Sequence, residues 1–467
     1  MTSGQRRSGA RWVACMAVLL SLPVLPVRHA ASFPVYGDQT VLPPGTELYE
    51  DATKVPREQF RTEAVEGIRS YLTKLGDIAF NSPAIFGGVA RQAGLSCNSC
   101  HIAGTSNPKF FIPGLSRHPG TFDTTGPLFN PRADNGILDP VRIPSLRGAR
   151  YLAPYGNDGR TSSLRDFVHN VIVREFAGPE PSPVILDAIV AYIEDIDFLD
   201  NRRLGAGGRL LTNDEAALRG QTLFYKPFLH QPELTCASCH QPSGAFVDHQ
   251  QHNVGSGGLF KTPTLLDANF NAPYFHDGRF DTYEQVVAYF DRVFELGFSA
   301  QDRHDLVTYL NAVGDGERPF VFNRIGVALQ EISDFVSVLD TAIPAHDADV
   351  VSLTINVVDN ELRELIEQFP DHRDPTIVGG RAERQHARAI LKEMVLNLSR
   401  IELAAAAGNF DEAANELKTY RYKTTAGVGA ALRAAEPWSL FNPKVHDAHY
   451  DALRLMQTSQ TASGPAH

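Results

Sequence analysis

Methionine is absent from residues 17–393 and tryptophan from residues 13–437: the four Met are Met1, Met16, Met394 and Met456, and the two Trp are Trp12 and Trp438. Most of the chain therefore has no thioether and no indole to use. Cysteine is nearly as scarce. Of five, Cys15 falls in an N-terminal apolar run, and the rest are Cys97, Cys100, Cys236 and Cys239. Positive charge is also short, with 43 Lys and Arg against 54 Asp and Glu and a net charge of −11. That excess of acid argues against a nucleic-acid partner and mildly for a basic one. Long apolar runs are missing as well. The stretch from Trp12 to Val27 is short and broken by Pro23 and Pro26, so no stable membrane span is expected.

Residues 1–31 read instead as an export signal, with a basic start, that apolar stretch, and small residues at Ala30, Ala31 and Ser32. An uncleaved anchor is the alternative. Cys15 lies inside the apolar run and not at its end, which argues against a lipid anchor there. Removing the leader takes Arg6, Arg7, Arg11 and Arg28 and no acid, which carries the charge from −11 to −15.

The four remaining cysteines stand in two copies of one motif, Cys97-Asn98-Ser99-Cys100-His101 and Cys236-Ala237-Ser238-Cys239-His240. Two thiols three residues apart can add across the vinyl groups of one porphyrin, and the His that follows is close enough to ligate its iron. Each copy therefore reads as a covalent haem c site. A zinc reading would need two further ligands at each site, and no other cysteine remains to supply them. Two haems consume every thiol of the exported chain, which leaves no disulfide. Haem is attached to such motifs after export, so the product is expected outside the cytoplasm, in the periplasm.

Pro144 to Arg160 aligns without a gap on Pro263 to Arg279, with nine of seventeen positions identical. This is a duplicated module. Each copy runs into an apolar-periodic helix (Leu164 to Phe176, Tyr283 to Phe294) and then a second one around Leu186–Ile193 or Asp305–Leu310. Gly205 to Gly208 marks a linker. Ile102 to Pro140 reads as a long loop, and Arg57 to Leu75 as a polar helix. Beyond Arg318-Pro319 there is no Cys and no repeat of the turn, only helical periodicity such as Ile325, Leu329, Ile332, Val336 and Leu339. The expected fold is mainly α: two tandem cytochrome-c-like haem domains at 32–205 and 206–320, then a helical bundle at 321–467 that could serve as a docking module.

Duplicated haem motif, Pro-Ser/Thr-Leu segment and Ala-Pro-Tyr-x-x-Asp-Gly-Arg turn, together with Pro273-Tyr274-Phe275-His276-Asp277-Gly278, resemble the bacterial di-haem cytochrome c peroxidase superfamily, including its MauG-like branch, over about residues 80–315. The resemblance implies that hydrogen peroxide is reduced at the first haem, with His101 as proximal ligand. Electrons would arrive through the second haem, on His240, from a donor such as a small basic cytochrome or from an oxidised protein substrate. It places a catalytic glutamate on the helix after the first turn, where Glu175 is the nearest match. His118, seventeen residues after His101, stands where some peroxidases hold a distal His, with His169 a weaker rival.

Three positions depart from that pattern. Where the family gives the second haem a Met or Tyr ligand this chain has Phe290, which leaves the adjacent Tyr289 as the candidate sixth ligand. Asn157 stands where a Trp between the haems is common. Arg142 stands near an Asn that helps hold an interdomain calcium, and a cation beside calcium is unfavourable, so calcium stays open as a third cofactor. The missing Trp and the missing Met favour a rival reading, a non-enzymatic di-haem electron-transfer cytochrome. The duplicated turn favours the oxidoreductase.

Overall fold

The computed structural model describes residues 37–48, 54–66, 68–322, 324–371, 377–425 and 427–462, so the expected export signal lies outside the described residues. The chain is mainly helical. Strands among the described residues are two or three residues long and pair in antiparallel two-stranded ribbons, Lys54–Pro56 with Phe320–Phe322, Thr121–Phe122 with Val141–Arg142, and Gln251–His252 with Phe260–Lys261.

Each half is built on one crossing of two helices. Tyr71–Asn81 packs on Pro183–Asp195, and Glu215–Phe224 on Ala300–Val313. Both crossings use the same four residue positions. In the first, Gly76 faces the carbonyl of Ala188, and Phe80, one turn on, meets Tyr192 with ring centroids 4.9 Å apart. In the second, Gly220 faces the carbonyl of Asp305, and Phe224 meets Tyr309, again at 4.9 Å. Residues four apart share a helix face, so each glycine lets the backbones touch while each aromatic pair seals the next turn. A Cβ at Gly76 or Gly220 would sit 1.9 or 2.0 Å from those carbonyl oxygens, and neither backbone can yield without parting the helices. Gly220→Ala is therefore expected to cost about 1–3 kcal/mol or more in denaturant unfolding. Gly326→Ala, in a helix where a Cβ meets nothing within 4 Å, is the control, expected to be neutral or slightly stabilising.

Helix starts follow local side-chain caps. Ser70 Oγ accepts from the Thr73 N–H, so the expected helix from Arg57 to Leu75 is instead two, Arg61–Glu66 and Tyr71–Asn81. Ser163 and Thr282 cap the helices that begin at Leu164 and Tyr283. These two starts lie 119 residues apart, the offset of the sequence repeat. The same offset relates the cis Ala153–Pro154 and Ala272–Pro273 bonds and the bridges Tyr155–Thr161 and Tyr274–Phe280. The copies differ at the end of the helix after the turn. The Phe176 N–H donates to Val171 O, five residues back, so the first copy widens into a π turn over Val171–Glu175. The second stays α-helical to Val293.

The helices between Ile325 and Ala435, among them Ala348–Glu367 and Arg381–Ala406, share one apolar core with Leu75, Ile78 and Ala188 of the first helix crossing. An ionic seam joins the same surfaces. Arg69 bridges Asp77 at 2.6 Å and Asp334 at 3.4 Å, and Lys74 Nζ donates to Ser337 Oγ.

Candidate functional site

Cys97–Cys100 and Cys236–Cys239 each form one helical turn, closed by a reciprocal cap between Ser96 and Ser99 or Thr235 and Ser238. The turn brings both thiols of a pair to one side, and none of the four is in a disulfide. Burial pushes the Cys97 and Cys236 thiols up to about 12, which keeps them neutral. His101 Nδ1 lies 2.9 Å from Pro144 O, and His240 Nδ1 lies 3.2 Å from Phe246 O. A carbonyl can only accept, so Nδ1 carries the proton and Nε2 presents its lone pair. Burial pulls His101 down to about 4 and lowers His240 as well, so both rings are neutral, as metal ligation requires.

Both motifs line a single cavity of about 770 Å³, whose walls are mostly apolar. Paired thiols, oriented neutral imidazoles and a large apolar cavity fit two covalently held haems. The two parts of the wall are chemically unequal. Near the first turn stand Asp158, Arg160 and Glu175. Arg160 Nη2 donates to Glu175 Oε1 at 2.9 Å, and its Nη1 meets Asp158 Oδ1 at 3.1 Å. Burial raises the Glu175 carboxyl above the ordinary glutamate value, while Arg160 and Thr124 hold it partly down. In the second copy Arg279 pairs with Asp277, and, because the π turn adds one residue to the first copy, Glu175 before the capping Phe176 is matched by Val293 before the capping Phe294. Phe275, Phe290 and Phe294 line the cavity there.

Of the residues singled out from sequence, Glu175 lines the cavity with both motifs. His118 does not: its side chain is exposed, and its backbone is held in a turn with Thr121. His169 bonds Glu180 at 2.9 Å, also off the cavity wall. Tyr289 is buried among Phe275, Phe280 and Phe290, and its hydroxyl donates to Val254 O at 2.9 Å. The phenol thus has a backbone partner, and the neighbouring Phe290 takes the place on the cavity wall. Tyr289→Phe is accordingly expected to leave the visible and EPR spectra of the second haem unchanged and to cost about 1 kcal/mol for the lost hydrogen bond. A change from low to high spin would return the phenol to the iron.

Sequence reasoning missed Arg142, Lys261 and His276, all on the cavity wall. His276 stacks on Phe260 with ring centroids 3.5 Å apart. The signal that could have found the two cations is the repeat itself, since each stands two residues before the proline that opens its copy. Cys239, Asp248 and His252 also bring ligand atoms within 4.8 Å of one another, but Cys239 is the second thiol of a haem motif.

Residues 214–321, which contain the second motif and its turn, match the family model described as di-haem cytochrome c peroxidase. The chain carries a domain of that family. Among curated relatives, it is 27% identical to hydrazine synthase subunit gamma of Kuenenia stuttgartiensis over 327 residues, which covers 56% of this chain and 83% of that one. It is 22% identical to cytochrome c551 peroxidase of Nitrosomonas europaea over 293 residues, 55% of this chain and 84% of that one. A solved MauG-like protein associated with microbial copper homeostasis aligns over 57% of this chain and 94% of its own, at 17% identity and a TM-score of 0.36. The match of that domain supports an oxidoreductase with covalently bound c-type haem. No described helix is long and apolar enough to cross a membrane.

Proposed function

We propose that this chain reduces hydrogen peroxide to two waters at the haem on Cys97, Cys100 and His101, taking two electrons and two protons, with the electrons delivered through the haem on Cys236, Cys239 and His240. The observation that carries this reading is the asymmetry of a duplicated site: a carboxylate stands on the cavity wall at Glu175, while the matching Val293 and the neighbouring Phe294 on the wall have no group that exchanges protons. Haem supplies the redox chemistry when bound. The protein's part would be to hold the iron through His101 and to move a proton through Glu175. Glu175, kept largely dry by burial, takes a proton from one peroxide oxygen and returns it to the oxygen that leaves as water. Arg160 fixes the carboxylate in place and offers a cation to the charge that develops on the departing oxygen. In the second site, phenylalanines at 290 and 294 can neither ligate nor exchange protons, which suits an electron relay that excludes peroxide.

The donor is proposed to be a small basic cytochrome, because opposite net charge speeds encounter, and the setting is proposed to be the periplasm. Peroxide added to the holoprotein in the presence of reduced horse-heart-type cytochrome c tests the reading, alongside EPR of the resting and half-reduced states. A high-spin ferric signal and donor oxidation that depends on peroxide are expected. Two low-spin haems indifferent to peroxide before and after reduction would leave the electron carrier standing instead.

A further inference from the structure

Arg142 and Lys261 occupy equivalent positions of the duplication, each the last residue of a two-stranded ribbon and each two residues before the proline that opens its copy. Each reaches across to the other copy at equivalent points. The Arg142 N–H donates to His276 O at 2.7 Å, and the Lys261 N–H to Asn157 O at 2.9 Å. The side chains repeat the pattern: Arg142 Nη1 donates to Asn271 O at 3.0 Å, and Lys261 Nζ to Leu152 O at 2.7 Å. Positions 157 and 276 differ by 119, and so do 152 and 271. The two copies therefore meet about a pseudo-two-fold axis, and each contributes one cation there.

Both cations line the cavity that holds the two haem motifs. Burial lowers the Arg142 guanidinium and brings Lys261 down to about 8, with Arg142 as a further, repulsive cause for the lysine. Their protein partners are carbonyl oxygens. No described carboxylate lies within ion-pair distance of either. Two like charges brought together in a low-dielectric cavity, with no protein anion, are costly unless an anion joins them on binding. Each of the two haems implied by the paired motifs carries two propionates. Carboxylates are the anions that such a cavity would receive, and a guanidinium and an ammonium are their strong partners.

We infer that Arg142 and Lys261 form a paired seat for the propionates of the two haems at the junction between the copies. The inference rests on two haems binding at the motifs but not on the peroxide chemistry. A cation beside a propionate favours the ferrous state, so removing it lowers the midpoint potential. Potentiometric titration of Arg142→Met and Lys261→Met holoproteins is the test, after a pyridine haemochrome assay has shown two haems per chain. At least one haem potential in each variant is expected to fall by the equivalent of a tenfold or larger change in its ferric-to-ferrous ratio, about 59 mV for one electron. Lys261→Arg and Arg142→Lys should keep it near the original. Potentials unmoved in both Met variants would overturn the inference, while a haem count below two in the unaltered protein would instead sink the assignment of the motifs. Where a Met variant fails to mature, resonance Raman of the unaltered holoprotein decides. Propionate bending bands that shift in D₂O support the seat, and bands that do not shift overturn it.

Discussion

Glu175→Gln is expected to lower kcat/KM for peroxide by about 10²–10⁴-fold, the usual range for a positioned acid-base group, with both haem spectra unchanged. The amide is nearly isosteric, and its oxygen can still accept from Arg160 Nη2, which now bonds Glu175 at 2.9 Å, so packing should survive while proton exchange is lost. pH supplies a second readout. Burial is the largest influence on the Glu175 carboxyl and raises it. The proposed base is the carboxylate, so activity falls as pH drops through that raised value, and the acid limb of the rate profile lies above an ordinary glutamate's. In the Gln variant that limb should vanish. A profile identical in the two proteins, at whatever rate, would show that the proton moves through another group. Steady-state kinetics from pH 4 to 9 at constant ionic strength measure both effects.

How far the site could be read from sequence depends on which residues the two copies share. Pro144–Arg160 and Pro263–Arg279 were legible because nine positions are identical, and the structure gives them the same turn with the same cis bond. The helices after each turn were legible from periodicity, since their apolar faces are buried. Functional differences sit where identity ends. Glu175 falls opposite Val293 only once the extra residue of the π turn is counted, so an ungapped register carried past the matched segment pairs the wrong residues. Arg142 and Lys261 are alike in charge but not in letter. Their pairing is a fact of three-dimensional symmetry, and a one-dimensional reading took Arg142 only as an obstacle to calcium. The glycine crossings went unread for another reason. A Gly four residues before an aromatic is too common to signal anything until the partner carbonyl is seen against it. Tyr289 shows the converse, because adjacency to a ligand position does not turn a helix face. One residue along a helix rotates a side chain by about 100°, and here that rotation puts the phenol on Val254 O and Phe290 on the cavity.

The helices after Ile325 bear on how a donor could dock. A helical bundle without a haem motif could serve as a docking module, and truncation after Pro319 would be the direct way to test it. In the structure these helices share a core with Leu75, Ile78 and Ala188, and Asp334 completes the ion pair of Arg69 with Asp77. Removing them would strip apolar cover from the helix crossing that supports the first haem motif and leave a buried charge cluster short of one partner. Loss of activity on truncation would then report damage to the first site, so charge substitutions on the exposed faces of these helices are the informative probe of docking.

His101→Ala carries the largest effect of all. Peroxide turnover is expected to fall by well over about 100-fold, the size of loss that removing the outer partners of a metal ligand alone can give, while the redox signal of the second haem persists. Two features make the result interpretable. Covalent bonds from Cys97 and Cys100 would hold the porphyrin independently of the ligand, so the variant should keep two haems and change the coordination of one. His101 is also tied at Nδ1 to Pro144 O, the first residue of the repeat, so the ligand and the turn that carries Arg160 are mechanically one unit. Exogenous imidazole should restore part of the spectrum and less of the turnover, because a free ring lacks that tether. His240→Ala supplies the opposite case. With the second haem altered, single-turnover reaction of the reduced protein with peroxide should remain, and only steady-state turnover with an external donor should fail. If peroxide binding is instead lost in His240→Ala and kept in His101→Ala, the two sites have exchanged roles, and Glu175 beside the first turn serves the relay rather than the reaction.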